Sequence, residues 1–116
     1  MTTTLPDQPA ADRLGATLVA ERLAACAQVV GPVSSTYWWE GRVERSSEWY
    51  CHLKTTLARL PQLQQRVREL HPYQLPELVA LPVIDGDQGY LRWIAESVGG
   101  EPTPDGEPSE PGRAVR

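Results

Sequence analysis

The chain has 116 residues, with 15 acidic and 11 basic side chains and a formal net charge of −4. This length fits one domain of ordinary size. The acidic balance argues against a nucleic-acid partner, because such a partner requires a basic face that displaces counterions. No run approaches the roughly 18 consecutive apolar residues of a membrane span, so we expect no membrane partner.

The first residues and the cysteine content indicate the cellular compartment. The opening segment (MTTTLPD) lacks the basic and apolar regions of a secretory signal. The chain holds two cysteines, and two thiols without a signal are typical of reduced cytosolic proteins. We therefore expect a cytoplasmic location.

A change in composition near Gly99 divides the chain into two parts. Residues 99–116 (GGEPTPDGEPSEPGRAVR) include eight Gly and Pro residues and hardly any apolar ones. Such a segment buries too little apolar surface to offset the entropy that it would lose on ordering. We predict a folded domain over residues 1–98 and a disordered tail over residues 99–116.

The first elements of the domain are a short strand, a helix and a long strand. Thr2–Leu5 is counted as the first strand, and Asp7 is a candidate N-cap for an Ala-rich helix that ends near Cys26. The segment Ala27–Trp39 is rich in Val, Thr and aromatic residues, which is typical of a strand. Gly31-Pro32 interrupts this strand and predicts a break or bulge.

The remaining elements complete a hairpin and add a helix, a strand and a final helix. A turn over residues 40–42 leads into a returning strand, Val43–Thr55. A helix follows Thr56 and stops at His71-Pro72, because a residue before proline is pushed out of the helical region. The apolar run Leu78–Ile84 predicts a buried strand, and a short helix follows over residues 90–98.

This order is βαββαβ with an extra C-terminal helix. It predicts an α+β, ferredoxin-like domain with one antiparallel sheet and a long β2–β3 hairpin. In this topology the first strand is central, and four residues is short against a typical length of about 5–6. We therefore expect the natural first strand to begin further upstream than Met1.

Large aromatic residues occur on both faces of the predicted hairpin. Because side chains alternate along a strand, Tyr37 and Trp39 share one face and Trp38 lies on the other. Helices can cover only one face of a single sheet, and exposed apolar patches usually mark an interface. We expect a homo-oligomer, with a closed ring favoured because edge-to-edge strand contacts must be terminated.

Several ordered motifs resemble the CutA divalent-cation tolerance family, and the resemblance covers about residues 5–98. A set of motifs in order is more specific than one short motif, and the sharpest element is HPYxxPE from His71 to Glu77. The other matching motifs are Leu23-Ala24-Ala25-Cys26, Ser35-x-Tyr37-x-Trp39-x-Gly41, Glu48 with Lys54-Thr55, and Tyr90-Leu91-x-Trp93.

The resemblance implies a ferredoxin-like subunit in a tight homotrimer, similar in build to the PII signalling proteins. It also implies a role in tolerance to divalent metals, above all copper. His71 matches a copper-ligand position of the family and is the candidate metal residue, for Cu²⁺ or another divalent cation. The other two ligand positions hold Thr3 and Leu70.

Polar and aromatic side chains of the hairpin and of the segment after the second helix are candidates for a ligand-binding cleft between subunits. The alternatives are a regulatory metal module, a PII-like sensor of a small molecule, or an ion pair of Lys54 with Glu48 or Glu77 at the oligomer contact. The chain carries no phosphate loop, nucleophile elbow or dinucleotide fingerprint, so we expect no enzyme. The candidate cleft residues are Trp39, Glu48, Lys54, His71, Tyr73 and Glu77.

Overall fold

The computed structural model describes residues 1–99, so the predicted tail lies outside the described residues apart from Gly99. The described residues form three strands and three helices, which confirms the α+β class. The elements in chain order are β1 (Thr2–Leu5), α1 (Gln8–Ala20), β2 (Cys26–Trp39), β3 (Arg42–Lys54), α2 (Leu60–Leu70) and α3 (Gln88–Val98). The strands form one antiparallel sheet in the order β1–β3–β2.

The hairpin of β2 and β3 is turned by Glu40 and Gly41, whose φ angles are 49° and 78°. Two consecutive positive φ angles define a primed two-residue turn, which matches the twist of the flanking strands. The register shifts by one residue between Val30 and Val33. This shift confirms the predicted bulge at Gly31-Pro32.

The bulge determines which aromatic side chains share a face of the hairpin. Val30 pairs with Tyr50 before the bulge, and Val33 pairs with Glu48 after it. The bulge adds one residue to the alternation of side chains. The face that carries even-numbered residues of β2 before the bulge therefore carries odd-numbered residues after it. The residues that consequently share one face are Tyr37, Trp39, Glu48 and Tyr50.

Helices α1 and α2 pack against the other face of the sheet. The Asp7 carboxylate accepts a hydrogen bond of 2.8 Å from the Ala10 amide, which confirms the predicted N-cap. A Cβ at Gly15 would lie 2.8 Å from the Cβ of Ala27, so glycine allows α1 to approach β2 closely. The main core residues are Leu5, Ala11, Leu14, Leu18, Ala24, Cys51, Leu53, Leu63 and Val67.

Helix α1 is shorter than predicted, because it ends at Ala20 rather than near Cys26. Arg22 adopts a positive φ of 58°, which breaks the helix, and Cys26 already pairs with Lys54 as the first residue of β2. The final helix was predicted correctly: α3 packs Ile94 and Val98 against Ala25. Among residues 1–99, no helix combines the length and apolar character needed to cross a membrane.

The predicted fourth strand, Leu78–Ile84, is wrong for the single chain. Only Val79 pairs with the sheet, through an isolated antiparallel bridge to Thr2. Leu78 is half-buried against the core, but the residues after it are exposed, and the exposed fraction of Ile84 reaches 94 %. Two causes explain this: Pro82 has no N–H for a ladder, and β1 offers an edge of only four residues. Val79 nevertheless occupies the position of the outer strand beside β1 in a ferredoxin-like order.

Candidate functional site

A cleft of about 860 Å³ lies between the outer part of the hairpin and the loop after α2. The hairpin contributes the face that the bulge creates, including Tyr37, Trp39, Glu48 and Tyr50. The loop over residues 72–77 forms the facing wall. This volume falls in the range of about 300–1,000 Å³ that is usual for small-molecule sites.

The carboxylate of Glu48 lies in the wall of the cleft and is bonded to the loop. The Tyr73 hydroxyl donates a hydrogen bond of 2.9 Å to Glu48 Oε2, and Glu48 is only 8 % exposed. Burial and the adjacent Glu48 carboxylate together raise the pKa of the Tyr73 phenol far above its usual range. At neutral pH the Tyr73 hydroxyl therefore keeps its proton and donates a hydrogen bond to Glu48.

His71 connects the same loop to β1. Its Nδ1 accepts a hydrogen bond of 3.1 Å from the Tyr73 amide, so the proton of the neutral ring is on Nε2. Nε2 donates to the Thr4 carbonyl at 2.9 Å and lies 3.0 Å from Thr3 Oγ1. Burial lowers the pKa of His71, although the bond to Thr4 opposes this effect. The ring thus acts as a neutral connection that fixes where the loop begins.

The described residues of one chain do not fit a copper site. Both ring nitrogens of His71 are engaged in hydrogen bonds, and Thr3 and Leu70 supply no imidazole or thiol. Within residues 1–99, no group of three or more His, Cys, Asp or Glu side chains converges, whereas such metals favour several nitrogen or sulfur ligands. The prediction of His71 as a ligand therefore depends on ligands from another copy of the chain.

Lys54 lies far from the cleft, although it shares a face of β3 with Glu48. Six residues of strand separate the two, or about 20 Å. The Lys54 ammonium donates a hydrogen bond of 2.6 Å to Gln28 Oε1 and lies 4.0 Å from Cys26 Sγ. The structure thus brings Trp39, Glu48, Tyr73 and Glu77 together along the cleft, with His71 behind Tyr73, and places Lys54 elsewhere.

Two aromatic residues, Tyr37 and Tyr50, are not among the candidate cleft residues named from the sequence. Both line the cleft. Tyr37 joins the face of Tyr50 only because the bulge adds one residue to β2. Strand alternation alone places Tyr50 on the face of Glu48, and the Gly31-Pro32 signal combined with it adds Tyr37.

The fold is that of a small α+β domain with an open cleft, and the comparisons with known proteins identify its family. The model of the CutA1 divalent ion tolerance protein family matches residues 1–97. The chain belongs to this family.

Individual relatives agree with the assignment. The divalent-cation tolerance protein CutA of Thermus thermophilus is 43 % identical over 96 residues, which cover 83 % of this chain and 93 % of the relative. The solved structure of the T. thermophilus protein has a TM-score of 0.80 at 42 % identity, over 83 % of this chain and 93 % of that chain. The structure of the periplasmic divalent cation tolerance protein CutA of Archaeoglobus fulgidus has a TM-score of 0.81 at 32 % identity, over 84 % and 94 % of the two chains.

Proposed function

We propose that the chain functions in divalent-cation tolerance as a homotrimeric, non-catalytic binding module that takes its ligand in the cleft. The family assignment supports the tolerance role. The observation that carries the proposed binding site is the buried Glu48 carboxylate in the wall of an open cleft of about 860 Å³. A cleft of this size also favours the second candidate function, a sensor of a small molecule.

The apolar surface of the single chain supports the trimer. Trp38 is 74 % exposed on one face of the hairpin, while Tyr37 and Trp39 are about two-fifths exposed on the other. Leu81, Val83 and Ile84, which follow the single bridge of Val79, add further exposed apolar side chains. In the described part of the chain, β2 is a long free edge of the sheet. Burying such surfaces and edges against other copies removes both the apolar exposure and the unpaired backbone.

The chemistry of the cleft supports binding rather than catalysis. Tyr73 and Glu48 are hydrogen-bonded titratable groups in the cleft. Burial and the Glu48 carboxylate strongly raise the pKa of the Tyr73 phenol. Such a phenol is a poor proton donor near neutral pH, where an effective acid or base has a pKa close to the working pH. The pair is therefore better suited to hold a ligand than to transfer a proton.

The proposed compartment is the cytoplasm, and the proposed ions are divalent cations, including copper. Cys26 and Cys51 are unpaired thiols in the described chain, as expected for a reducing compartment. Because one chain does not build a copper site, copper is proposed as an ion to test and not as a resident cofactor.

Two measurements on the full chain test this proposal. Sedimentation equilibrium at micromolar concentration should give about three times the chain mass of 12.9 kDa; a folded monomer would refute the trimer. Titration of Cu²⁺ and Zn²⁺ should raise the melting temperature by mass action if the protein binds metal directly. Leu70→His, which adds a second imidazole beside His71, should then raise the affinity for Cu²⁺. If neither the unmodified chain nor this variant responds to metal, direct metal binding is refuted and the small-molecule sensor is the function that stands.

A further inference from the structure

We propose that the cleft binds a small organic cation, an ammonium or guanidinium ion that carries apolar substituents. This inference rests on the proposed binding role of the cleft and names the chemical class of its ligand. Its basis is the combination of carboxylates and aromatic rings in one cavity. Neither the family assignment nor the fold requires such a ligand.

The first support is the charge of the cleft. Glu48 and Glu77 both line it, and among its described lining residues none is Lys, Arg or His. Glu48 is only 8 % exposed, and in the described part of the chain its side chain is bonded only by the neutral Tyr73 hydroxyl. A buried carboxylate without a cationic partner lowers the stability of the fold, because no ion pair offsets the free energy of removing its charge from water. The cleft thus provides an anionic group that a cationic ligand would pair with.

The second support is the aromatic lining. Tyr37, Trp39, Tyr50 and Tyr73 all line the same cavity as Glu48. Aromatic faces attract cations within about 6 Å of the ring centroid, and cages of such rings are a common way to bind quaternary ammonium groups. Tyr37 and Trp39 are each about two-fifths exposed in the single chain, so part of each ring faces the cavity rather than the core.

The same observations favour an organic cation over a metal ion. Calcium takes 6–8 oxygen ligands in proteins, and transition metals favour several nitrogen or sulfur ligands. The lining provides two carboxylates, and residues 1–99 hold no converging group of three metal-ligating side chains. An alkylated cation, by contrast, gains from the aromatic rings and has room in about 860 Å³.

Isothermal titration of the full chain with choline tests the proposal, with 3,3-dimethyl-1-butanol as a neutral ligand of the same shape. Choline should bind at least about tenfold more tightly than the neutral alcohol, which corresponds to about 1.4 kcal/mol. Glu48→Gln keeps the size of the side chain and an acceptor for Tyr73, and should abolish this preference. Trp39→Leu should weaken choline binding as well. The matched control is Glu96→Gln on α3, an exposed carboxylate outside the cleft, which should bind choline like the unmodified chain.

Equal binding of choline and the alcohol, or unchanged choline binding by Glu48→Gln, would overturn the proposal. A basic side chain of a second copy is the competing occupant of the cleft. In that case no organic cation binds, and Glu48→Gln weakens the oligomer in sedimentation. This result would refute the proposed organic-cation ligand but would agree with the proposed trimer. A monomer that still binds choline through Glu48 would refute the trimer alone.

Discussion

Replacing Tyr73 by phenylalanine removes the hydroxyl that holds the cleft loop to β3. The O–H···O bond to Glu48 is 2.9 Å long, and its acceptor is 8 % exposed. Hydrogen bonds to charged groups contribute about 1.5–3 kcal/mol, because a buried ion that loses its donor keeps its desolvation cost. We expect Tyr73→Phe to lower the free energy of unfolding by about this amount in urea denaturation at fixed protein concentration.

Tyr50→Phe is the matched control for this prediction. Tyr50 lines the same cleft, and within residues 1–99 its hydroxyl takes part in no hydrogen bond, so the control should change stability by less than about 0.5 kcal/mol. A double-mutant cycle of Tyr73→Phe with Glu48→Gln should give a coupling energy of at least about 1 kcal/mol. A coupling near zero would show that the two side chains do not interact, and would refute this description of the cleft wall.

Two further predictions concern stability. Gly31→Ala should destabilise the protein by about 1–3 kcal/mol in urea denaturation, since its Cβ would lie 2.5 Å from the Trp49 indole; an unchanged midpoint would contradict the packing at the bulge. Burial lowers the pKa of His71 below its ordinary value of 6.5, so between the two pKa values the unfolded chain binds a proton that the folded chain does not. The free energy of unfolding should therefore fall as the pH drops below about 6.5, by at most about 1.4 kcal/mol per pH unit, and His71→Gln should lose this slope.

Local signals predicted most of the fold correctly. The Asp7 cap, the bulge at Gly31-Pro32 and the end of α2 before His71 each follow from the chemistry of a few neighbouring residues. The run Leu78–Ile84 was predicted as a strand from its apolar character alone. Strand formation also requires a partner edge, and β1 accepts a single bridge at Val79.

The positions of the candidate cleft residues could be predicted only in part from the sequence, because they also depend on contacts between distant segments. Strand alternation places Glu48 and Lys54 on one face, but it does not say where the loop after α2 crosses that face. The loop position is set by a long-range connection, the bonds from His71 to Thr3 and Thr4. This connection places Tyr73 beside Glu48. Lys54 lies six residues further along β3 and bonds to Gln28 instead.

The most direct test is a crystal structure of the full chain grown with tetramethylarsonium, an organic cation whose arsenic gives an anomalous signal. A cation held by the Glu48 carboxylate and the aromatic rings should give a peak within about 6 Å of the Trp39 or Tyr37 ring. The same peak should be absent from crystals of Glu48→Gln. An empty cleft, or one filled by a basic side chain of a neighbouring copy paired with Glu48, would contradict the assignment of the cleft as an organic-cation site.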